Sequence, residues 1–286
     1  MTTTATLLDR YALVRDRIAE AARRSGRTER DIILVAVTKH ADPTQIRVLL
    51  EAGHRDLGEN KVQQLQQRVA LVDEYLDRLR VLSGTRDARE KSADVLGEAR
   101  GPSAPPAPVR WHMIGHLQRN KAKKVVECCR LVHSIDSLRL AEEIQSVALR
   151  RDQVVDVLLQ VNCSGEDQKH GCPPAAAGAL AEQIDTMVNL RVRGLMTMAA
   201  DTRADQTGSQ STGQAEAATR AAFARCRDLF EDVARLRLAE GAFNLLSMGM
   251  SNDFEIAIEE GANIVRVGSA IFGDAITPDA AEDDED

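Results

Sequence analysis

The sequence predicts an α/β protein, a single (β/α)8 TIM barrel with an extra helix at its N-terminus. Eight short apolar runs alternate with stretches of helical periodicity along nearly the whole chain, which is the pattern of parallel strands covered by helices. The 286 residues suffice for one large domain of this kind, and because 43% of them are hydrophobic a sizeable core can form. Polar, glycine-containing segments follow several of the runs, at the positions where barrel loops carry chemistry.

The first half of the chain contains the N-terminal helix and four units in which a helix follows a strand. Apolar residues at helical spacing predict the extra helix over Leu7–Arg24, and Ser25 and Gly26 end it. Runs rich in β-branched residues then indicate strands, and amphipathic stretches indicate helices. The predicted strands cover residues 32–37, 55–60, 110–115 and 131–135. The predicted helices after them cover residues 44–51, 61–82, 117–129 and 138–149.

The second half repeats this unit four more times. The predicted strands cover residues 154–161, 190–198, 243–247 and 263–267. The predicted helices cover residues 175–188, 215–238 and 251–260, and a turn at residues 268–270 follows the last strand. Eight such units favour a closed barrel over the alternative, a doubly wound open sheet. The sequence also lacks the GxGxxG and GxxxxGKS/T patterns, which weakens the nucleotide-binding form of that alternative.

Two internal segments and the C-terminal end depart from the pattern. Glycine and proline are frequent in residues 83–108, and residues 201–214 consist mainly of Asp, Thr, Ser, Gln and Gly. We interpret both as flexible insertions in one barrel domain that spans residues 5–275, because the α/β alternation resumes after each. Residues 276–286 are rich in acidic side chains and are expected to form a disordered tail.

Charge and aromatic content argue against nucleic acid and membranes as partners. The net charge is −7, but six acids without a base lie in residues 279–286, so the remainder is close to neutral. Only 3% of residues are aromatic and no apolar run is long enough to span a membrane. The basic helix at residues 117–129 is either a phosphate or nucleic-acid patch or a solvated face, and the solvated face is favoured. No sustained apolar patch suggests an obligate partner, so we expect a monomer.

The five cysteines indicate a reduced, cytoplasmic protein. Their number is odd, their spacing is irregular and no signal peptide is recognisable before them. Cys163, His170 and Cys172 lie close together in the sequence, but their spacing fits no common zinc pattern and a fourth ligand is missing. We therefore expect no metal site.

Lys39 is the first candidate for chemistry. It follows the apolar run 32–37 at the carboxyl end of the first strand, where barrel proteins collect functional groups. An amine that is partly shielded from water there can form a Schiff base. The other interpretation is a strand-end lysine whose charged head extends into solvent. This stretch alone leaves both interpretations open.

The loops after the last two strands suggest a phosphate site. Residues 247–251 and 266–270 each combine glycine with serine, so the backbone can approach an anion closely and a hydroxyl can donate to it. Many barrels bind phosphate with these two loops. A lysine after the first strand facing such loops suits an aldehyde-bearing phosphate, and pyridoxal 5′-phosphate (PLP) is the candidate cofactor.

Arg266 supports the same hypothesis. It is a lone charge in the apolar strand 263–267, and alternation along the strand directs it away from its immediate neighbours. An inward arginine can donate to a pyridine nitrogen but cannot protonate it, which leaves the ring a poor electron sink. The alternative is a structural salt bridge near the barrel mouth. With the two serine-containing loops beside it, the ligand interpretation is favoured.

Seven motifs, in order, carry a family resemblance that extends over residues 7–273. They are VAVTKH (35–40), DLGEN (56–60), WHMIGHLQRNK (111–121), VHSIDS (132–137), GLMTM (194–198), LSMGMSNDFEIAIEEG (246–261) and VRVGSAIFG (265–273). Together they resemble the pyridoxal phosphate homeostasis proteins, whose fold is that of the alanine racemase N-terminal barrel. The match omits the two insertions and the acidic tail.

The resemblance implies a PLP carrier or buffer in vitamin B6 homeostasis, without established turnover, whose recipients are PLP-dependent apo-enzymes. By motif, Lys39 holds the cofactor as an internal aldimine, Arg266 contacts the pyridine nitrogen and Asn60 lines the ring. The implied residues around the phosphate are Ser247, Met248, Gly268 and Ser269. Family members often carry a second lysine two residues after the first, where this chain has Ala41.

An amino-acid racemase is the alternative function. A two-base racemase needs a second acid or base on the opposite face of the cofactor, and in the alanine racemases this is a tyrosine of a C-terminal β-domain. Tyr11 and Tyr75 are the two tyrosines of this sequence, and both fall in predicted helices. His116 or a cysteine is a possible substitute, but no pattern singles one out. The carrier is therefore the favoured reading, with no catalytic residues assigned.

Overall fold

Eight parallel strands pair in chain order around a closed barrel, with β8 returning to β1, which confirms the predicted (β/α)8 fold. This arrangement is seen in a computed structural model that describes residues 6–93, 107–165, 170–199 and 212–273. The strands are β1 (Ile33–Val37), β2 (Asp56–Glu59), β3 (Arg110–Met113), β4 (Cys129–Ile135), β5 (Val155–Gln160), β6 (Leu190–Met196), β7 (Leu245–Ser247) and β8 (Ile264–Val267).

Nine α-helices in the described ranges surround the barrel or close its ends. They are α1 (Leu7–Arg24), α2 (Pro43–Glu51), α3 (Val62–Ala93), α4 (Ala122–Val126), α5 (Leu138–Arg150), α6 (Ala177–Asp185), α7 (Thr212–Ala234), α8 (Phe254–Glu259) and α9 (Ser269–Phe272). Two of these helices begin at capping residues that are recognisable in the local sequence. Thr6 and Asp9 form a capping box on α1, and Asp42 caps α2 just before a proline at its first position. None of these helices is both long and apolar enough to cross a membrane.

The barrel interior has an apolar floor. Side chains that alternate inward from five strands form one buried cluster beneath the mouth, while a larger apolar layer fills the space between strands and helices. The members of the inner cluster are Val35, Leu131, Leu158, Met196 and Ile264. Because inward positions recur every second residue, the next inward side chains toward the carboxyl ends belong to the functional layer.

The extra helix α1 packs against α8 and α9, beside the last strand. The Arg10 Nε donates to the Ile271 carbonyl oxygen over 2.8 Å. A bidentate ion pair joins Arg17 to Glu255, with N–O distances of 3.0 and 2.7 Å. The N-terminal helix therefore supports the loop that follows β8 from outside the barrel.

Some predicted boundaries differ from the structure. α3 continues to Ala93, past its predicted end at residue 82 and into the first predicted insertion. The predicted helix 117–129 is replaced by a short 3-10 turn and α4, because Cys129 already pairs with Trp111 as part of β4. Residues 94–106 of the first predicted insertion, residues 201–211 of the second and the predicted acidic tail lie outside the described residues.

Candidate functional site

Lys39 lies in a turn just beyond β1 rather than in the strand itself, and its side chain is exposed. The backbone of this turn is nevertheless well held. The Thr38 N–H donates to the Gly58 carbonyl oxygen over 3.0 Å, and the Ala41 N–H closes the turn onto the Thr38 carbonyl oxygen over 2.9 Å. The structure thus fixes where the lysine leaves the barrel while leaving its side chain free to move.

A buried polar cluster formed by Thr38, Glu59 and Arg68 anchors this turn. The Glu59 Oε1 accepts from the Thr38 hydroxyl over 2.5 Å and pairs with the Arg68 Nε at 2.6 Å. Arg68 also donates to the Ala41 carbonyl oxygen over 2.8 Å. Burial raises the pKa of Glu59, although the bond from Thr38 and the charge of Arg68 oppose the shift. The cluster ties the lysine turn to the end of β2 and to α3.

Asn60 follows β2 at the same end of the barrel, beside the lysine turn. Its Oδ1 is buried and has no hydrogen-bond partner. A buried polar atom without a partner carries a desolvation cost, so this amide is suited to a polar ligand.

The loops after β7 and β8 converge on the hydroxyl of Ser251. The backbone N–H groups of Gly268 and Ala270 both donate to the Ser251 Oγ, over 3.2 and 3.3 Å. Two backbone donors aimed at one point form a concavity of the kind that binds anions. Gly268 and Ser269 are only partly exposed. Ser251, which the sequence analysis did not single out, therefore lies where the two loops meet, and its hydroxyl oxygen occupies the point at which both N–H groups aim.

The structure places two of the predicted phosphate residues elsewhere. Ser247 is fully buried inside the barrel, where its hydroxyl contacts two other side chains. Met248 is also fully buried, and its N–H donates to the Ile264 carbonyl oxygen over 3.1 Å. Neither residue presents a free donor at the cradle, because β7 runs through Ser247 and directs that side chain into the interior.

Gly249 allows the chain to turn from β7 into the cradle. Its φ is +89°, and a Cβ atom at this position would lie 2.7 Å from the Phe254 Cα. Both the left-handed backbone and the close approach to α8 require glycine. The Gly249 carbonyl oxygen then accepts from the Arg266 N–H over 3.0 Å, which joins the cradle to β8.

Arg266 lies inside the barrel, beside β1 at the level of Val35, and is 3% exposed. Its guanidinium donates to the Ser247 Oγ over 2.6 Å and to the Thr197 carbonyl oxygen over 3.0 Å. These bonds use two of its five N–H donors. Burial lowers the pKa of Arg266 to about 10, so the group remains charged at neutral pH. No carboxylate among the described side chains forms a salt bridge with it, so the predicted alternative of a structural salt bridge is not found there.

A continuous chain of hydrogen bonds runs from Arg266 to the base of the barrel. The Ser247 Oγ lies 3.0 Å from the His133 Nδ1, and the His133 Nε2 lies 3.0 Å from the His112 Nδ1. The His112 Nε2 then lies 3.2 Å from the Asp56 Oδ1. The chain connects five strands and crosses the interior between β4 and β7.

The direction of donation in this chain follows from its ends. Arg266 can only donate, so Ser247 accepts from it and its own hydroxyl proton points to the His133 Nδ1. The Asp56 carboxylate can only accept, so it receives the Nε2–H of His112, whose Nδ1 then accepts from His133. This arrangement leaves His133 neutral, in agreement with the lowering of its pKa. Every bond then donates from Arg266 toward Asp56.

Burial sets the electrostatics of the chain. It lowers the pKa of His133 well below the usual range, and the neighbouring His112 and Arg266 add to the shift. Burial alone would raise the pKa of Asp56, but hydrogen bonds from Arg110 and His112 hold it well below the usual range. The chain therefore ends in a fixed negative charge and carries a neutral imidazole at its centre.

Sequence reasoning missed most of this supporting layer. It assigned no functional role to His133, Asp56, Glu59 or Arg68. His133 lies two residues after Leu131 of the inner cluster, as Arg266 lies two residues after Ile264, so the alternation that identified the arginine as inward was also present for the histidine.

The comparisons with known proteins agree with this architecture. The chain matches the alanine racemase N-terminal domain family over residues 14–276. It is 36% identical to a pyridoxal phosphate homeostasis protein of Pseudomonas aeruginosa, covering 94% of this chain and 95% of the relative. A protein of the same name from Escherichia coli is 34% identical, with 92% and 94% covered.

A solved relative resembles the whole barrel. PipY of Synechococcus elongatus, whose structure was determined with PLP bound, superimposes with a TM-score of 0.67 and 28% identity. The match covers 94% of this chain and 100% of that one. The likeness therefore extends over both the lysine turn and the cradle.

Proposed function

This chain belongs to the pyridoxal phosphate homeostasis proteins, built on the alanine racemase N-terminal domain, and from that premise we propose that it binds PLP at the barrel mouth and helps to keep intracellular PLP in balance. The observation that carries the proposal is the convergence of the Gly268 and Ala270 N–H groups on Ser251, with Arg266 on β8, the strand that leads into this loop. An anion cradle and the fixed charge of Arg266 thus lie at the same end of the barrel as the exposed Lys39.

The residues present fit the cofactor. Ser251 and the N–H groups of the loop 268–270 would hold the phosphate, and Arg266 would donate to the pyridine nitrogen. Lys39 would form the covalent link from its anchored turn, and Asn60, whose Oδ1 has no partner, would line the ring. Ser247 accepts a hydrogen bond from Arg266 and so positions the guanidinium, and Met248 packs in the buried apolar layer. When bound, PLP supplies an aldehyde that bonds to amines and a ring that withdraws electrons.

Arg266 favours storage over turnover. With a pKa of about 10 it keeps its proton at neutral pH, so it donates a hydrogen bond to the pyridine nitrogen without transferring the proton. The Thr197 and Ser247 contacts fix that donor in place. A ring held in this way withdraws electrons less strongly than a protonated one, which suits a carrier.

A racemase remains the second candidate because the fold is shared, but the tyrosines do not support it. The Tyr11 hydroxyl lies 3.2 Å from the His54 Nδ1, just before β2 and hence at the amino end of the barrel. The Tyr75 hydroxyl donates to Glu51 at the end of α2. Neither lies at the mouth, where a second base must act.

The decisive experiment is borohydride reduction of the protein loaded with PLP, followed by peptide mapping. We expect a visible absorbance band and a reduced PLP adduct on Lys39. The Lys39→Ala variant should lose both, while its free energy of unfolding changes by no more than about 0.5 kcal/mol because the side chain is exposed. Lys61→Ala is the matched control, since Lys61 is another exposed lysine that follows a strand at the same end.

The PLP-loaded protein before reduction with borohydride separates the two functions. Deuterium exchange at the α-carbon of alanine should stay at the background rate of free PLP. Exchange at an enzymatic rate would establish a racemase-like activity, and an adduct on Lys61 or no adduct at all would overturn the proposed site.

We further propose that the protein acts as a monomer in the cytoplasm and passes PLP to apo-enzymes. The near-neutral charge outside the acidic C-terminal residues and the odd, irregularly spaced cysteines support this setting. Light scattering gives the oligomeric state. Transfer is measured by the activity regained by a PLP-dependent apo-enzyme when the loaded protein replaces an equal amount of free PLP.

A further inference from the structure

Three potential metal ligands meet on the side of the mouth away from Arg266. His116 follows β3, Asp136 directly follows β4, and His170 lies in the loop after β5. One imidazole nitrogen of each histidine and one oxygen of the carboxylate all lie within 4.8 Å of one another. In a closed barrel of eight strands β4 lies opposite β8, so this group is separate from the cradle and from Arg266.

The backbone brings these side chains together from three strand ends. The loop that carries His170 folds back onto β5, because the Cys172 N–H donates to the Gln160 carbonyl oxygen over 2.9 Å. The Gln160 Nε2 also donates to the His170 carbonyl oxygen over 3.1 Å. The ring of His170 stacks on that of His116 with centroids 4.2 Å apart, and the His116 Nδ1 lies 3.6 Å from the Asp136 Oδ2.

We infer that His116, Asp136 and His170 form a binding site for a divalent first-row transition metal ion such as Zn²⁺, Ni²⁺ or Co²⁺. Two neutral imidazoles and one carboxylate are the ligands that these ions prefer, whereas Mg²⁺ and Ca²⁺ prefer oxygen alone. Three protein ligands leave coordination positions open toward the mouth, where a water or an anionic group can bind.

The site closes around the ion by side-chain rotation. Metal–nitrogen distances of about 2.0–2.1 Å require the ligand atoms to lie within roughly 4 Å of one another, and nearly parallel rings, 13° apart, do not direct both nitrogens to one point. The two histidines are exposed and Asp136 is half-buried, so both rings can turn without disturbing the core. Binding therefore separates the stacked rings.

A metal site formed by Cys163, His170 and Cys172 was considered from the sequence and was not expected, and the site inferred here has a different set of ligands. Cys163 and Cys172 are both buried, while the imidazole of His170 lies with His116 and Asp136 instead. A site of this composition contains no thiolate. Bound Co²⁺ should therefore show ligand-field bands without a sulfur-to-metal charge-transfer band.

The test is a Co²⁺ and Zn²⁺ titration of tag-free apo-protein, first stripped with a chelator, at neutral pH and followed by absorbance and calorimetry. We expect one ion per chain and no competition by Mg²⁺. His116→Ala, Asp136→Asn and His170→Ala should each weaken binding at least about tenfold, since even indirect partners of metal ligands have effects of that size.

Two controls make the result specific. His40→Ala removes an exposed histidine from another loop and should leave affinity unchanged, as should Cys128→Ser, which removes a partly exposed thiol. Failure to bind, or binding that the three variants do not weaken, would overturn the inference. Because PLP is left out, neither result depends on the proposed function, and the three variants should still give the PLP adduct on Lys39.

Discussion

Arg266 lies on β8 and Lys39 lies just beyond the neighbouring strand β1, at the same end of the barrel, but the side chain of Arg266 is held in place and that of Lys39 is free to move. Arg266 is 3% exposed and begins a hydrogen-bonded chain through Ser247 and two histidines. The Lys39 side chain is exposed, and only its backbone is anchored. The two regions therefore differ in how much of their geometry exists before any ligand binds.

The difference shows how a carrier can hold a reactive cofactor and still release it. The guanidinium that donates to the pyridine nitrogen must be held in place before the ligand binds. Because it is buried, any reorientation would break its hydrogen bonds without replacing them by bonds to water, at a desolvation cost. The covalent link instead needs a side chain that can move toward the aldehyde and away from it. A rigid interior with a mobile lysine above it meets both needs.

The strongest test of this comparison is His133→Ala, which interrupts the buried chain at its centre. It leaves the Ser247 hydroxyl and the His112 Nδ1 without their partner and opens a cavity in the interior. We expect a loss of about 2–4 kcal/mol in the free energy of unfolding. Urea denaturation of the apo-protein measures it.

His40→Ala is the matched control for the lysine turn. His40 is exposed and follows Lys39 directly, so its removal should change the free energy of unfolding by no more than about 0.5 kcal/mol. If the two variants lost equal stability, the contrast between a locked interior and a free turn would be wrong. If His133→Ala does not fold, His133→Gln retains a polar group at the same position and gives a smaller loss.

The second test is pH, because the interior chain contains a buried neutral histidine. The pKa of His133 lies well below the value of about 6.5 expected in the unfolded chain. Below about pH 6.5 the unfolded state therefore binds a proton that the folded state does not, and stability falls as pH falls. One such group contributes up to about 1.4 kcal/mol per pH unit.

Other groups determine how the pH profile is read. His54, whose pKa burial also lowers, acts in the same direction, so His133→Ala should reduce the slope without abolishing it. Asp56 contributes stability above about pH 4, which is lost as pH falls toward its lowered pKa. Glu59 acts oppositely, since its raised pKa means that stability decreases as pH rises from about 4.3 to the folded value. Denaturation midpoints of the parent protein and of His133→Ala are compared between about pH 7 and pH 5, because His54 and Glu59 are present in both and their contributions cancel in the difference. A pH slope that the substitution leaves unchanged would contradict a neutral His133.

The sequence was sufficient for the fold because the signals are local and repeated. Eight apolar runs with helices between them predict a barrel without knowledge of any contact, and the lone charge of Arg266 in an apolar strand predicts an inward side chain. Lys39 was located by the same reasoning, within two residues of the end of β1.

The hydrogen-bonded chain was not predictable in this way. Its contacts join strands far apart in sequence, and which inward side chains meet depends on the stagger of the barrel. The register shifts where β3 pairs with β4 and where β4 pairs with β5, which are the strands that carry His112 and His133. A pattern of residues along one strand contains no information about these shifts.

The choice between Ser247 and Ser251 yields the smallest and sharpest prediction. Ser251→Ala removes the hydroxyl on which the Gly268 and Ala270 N–H groups converge, so PLP affinity should fall about tenfold, or ~1.4 kcal/mol, with little change in apo-protein stability. Ser247→Ala removes the partner of Arg266 and His133 in the interior, so it should cost about 1–2 kcal/mol of unfolding free energy. Fluorescence titration with PLP and urea denaturation measure the two quantities on both variants. If Ser247→Ala weakened phosphate binding while Ser251→Ala did not, the cradle would include the serine predicted from the sequence. Inorganic phosphate as a competitor makes the distinction direct, because it probes the cradle without engaging Arg266 or Lys39.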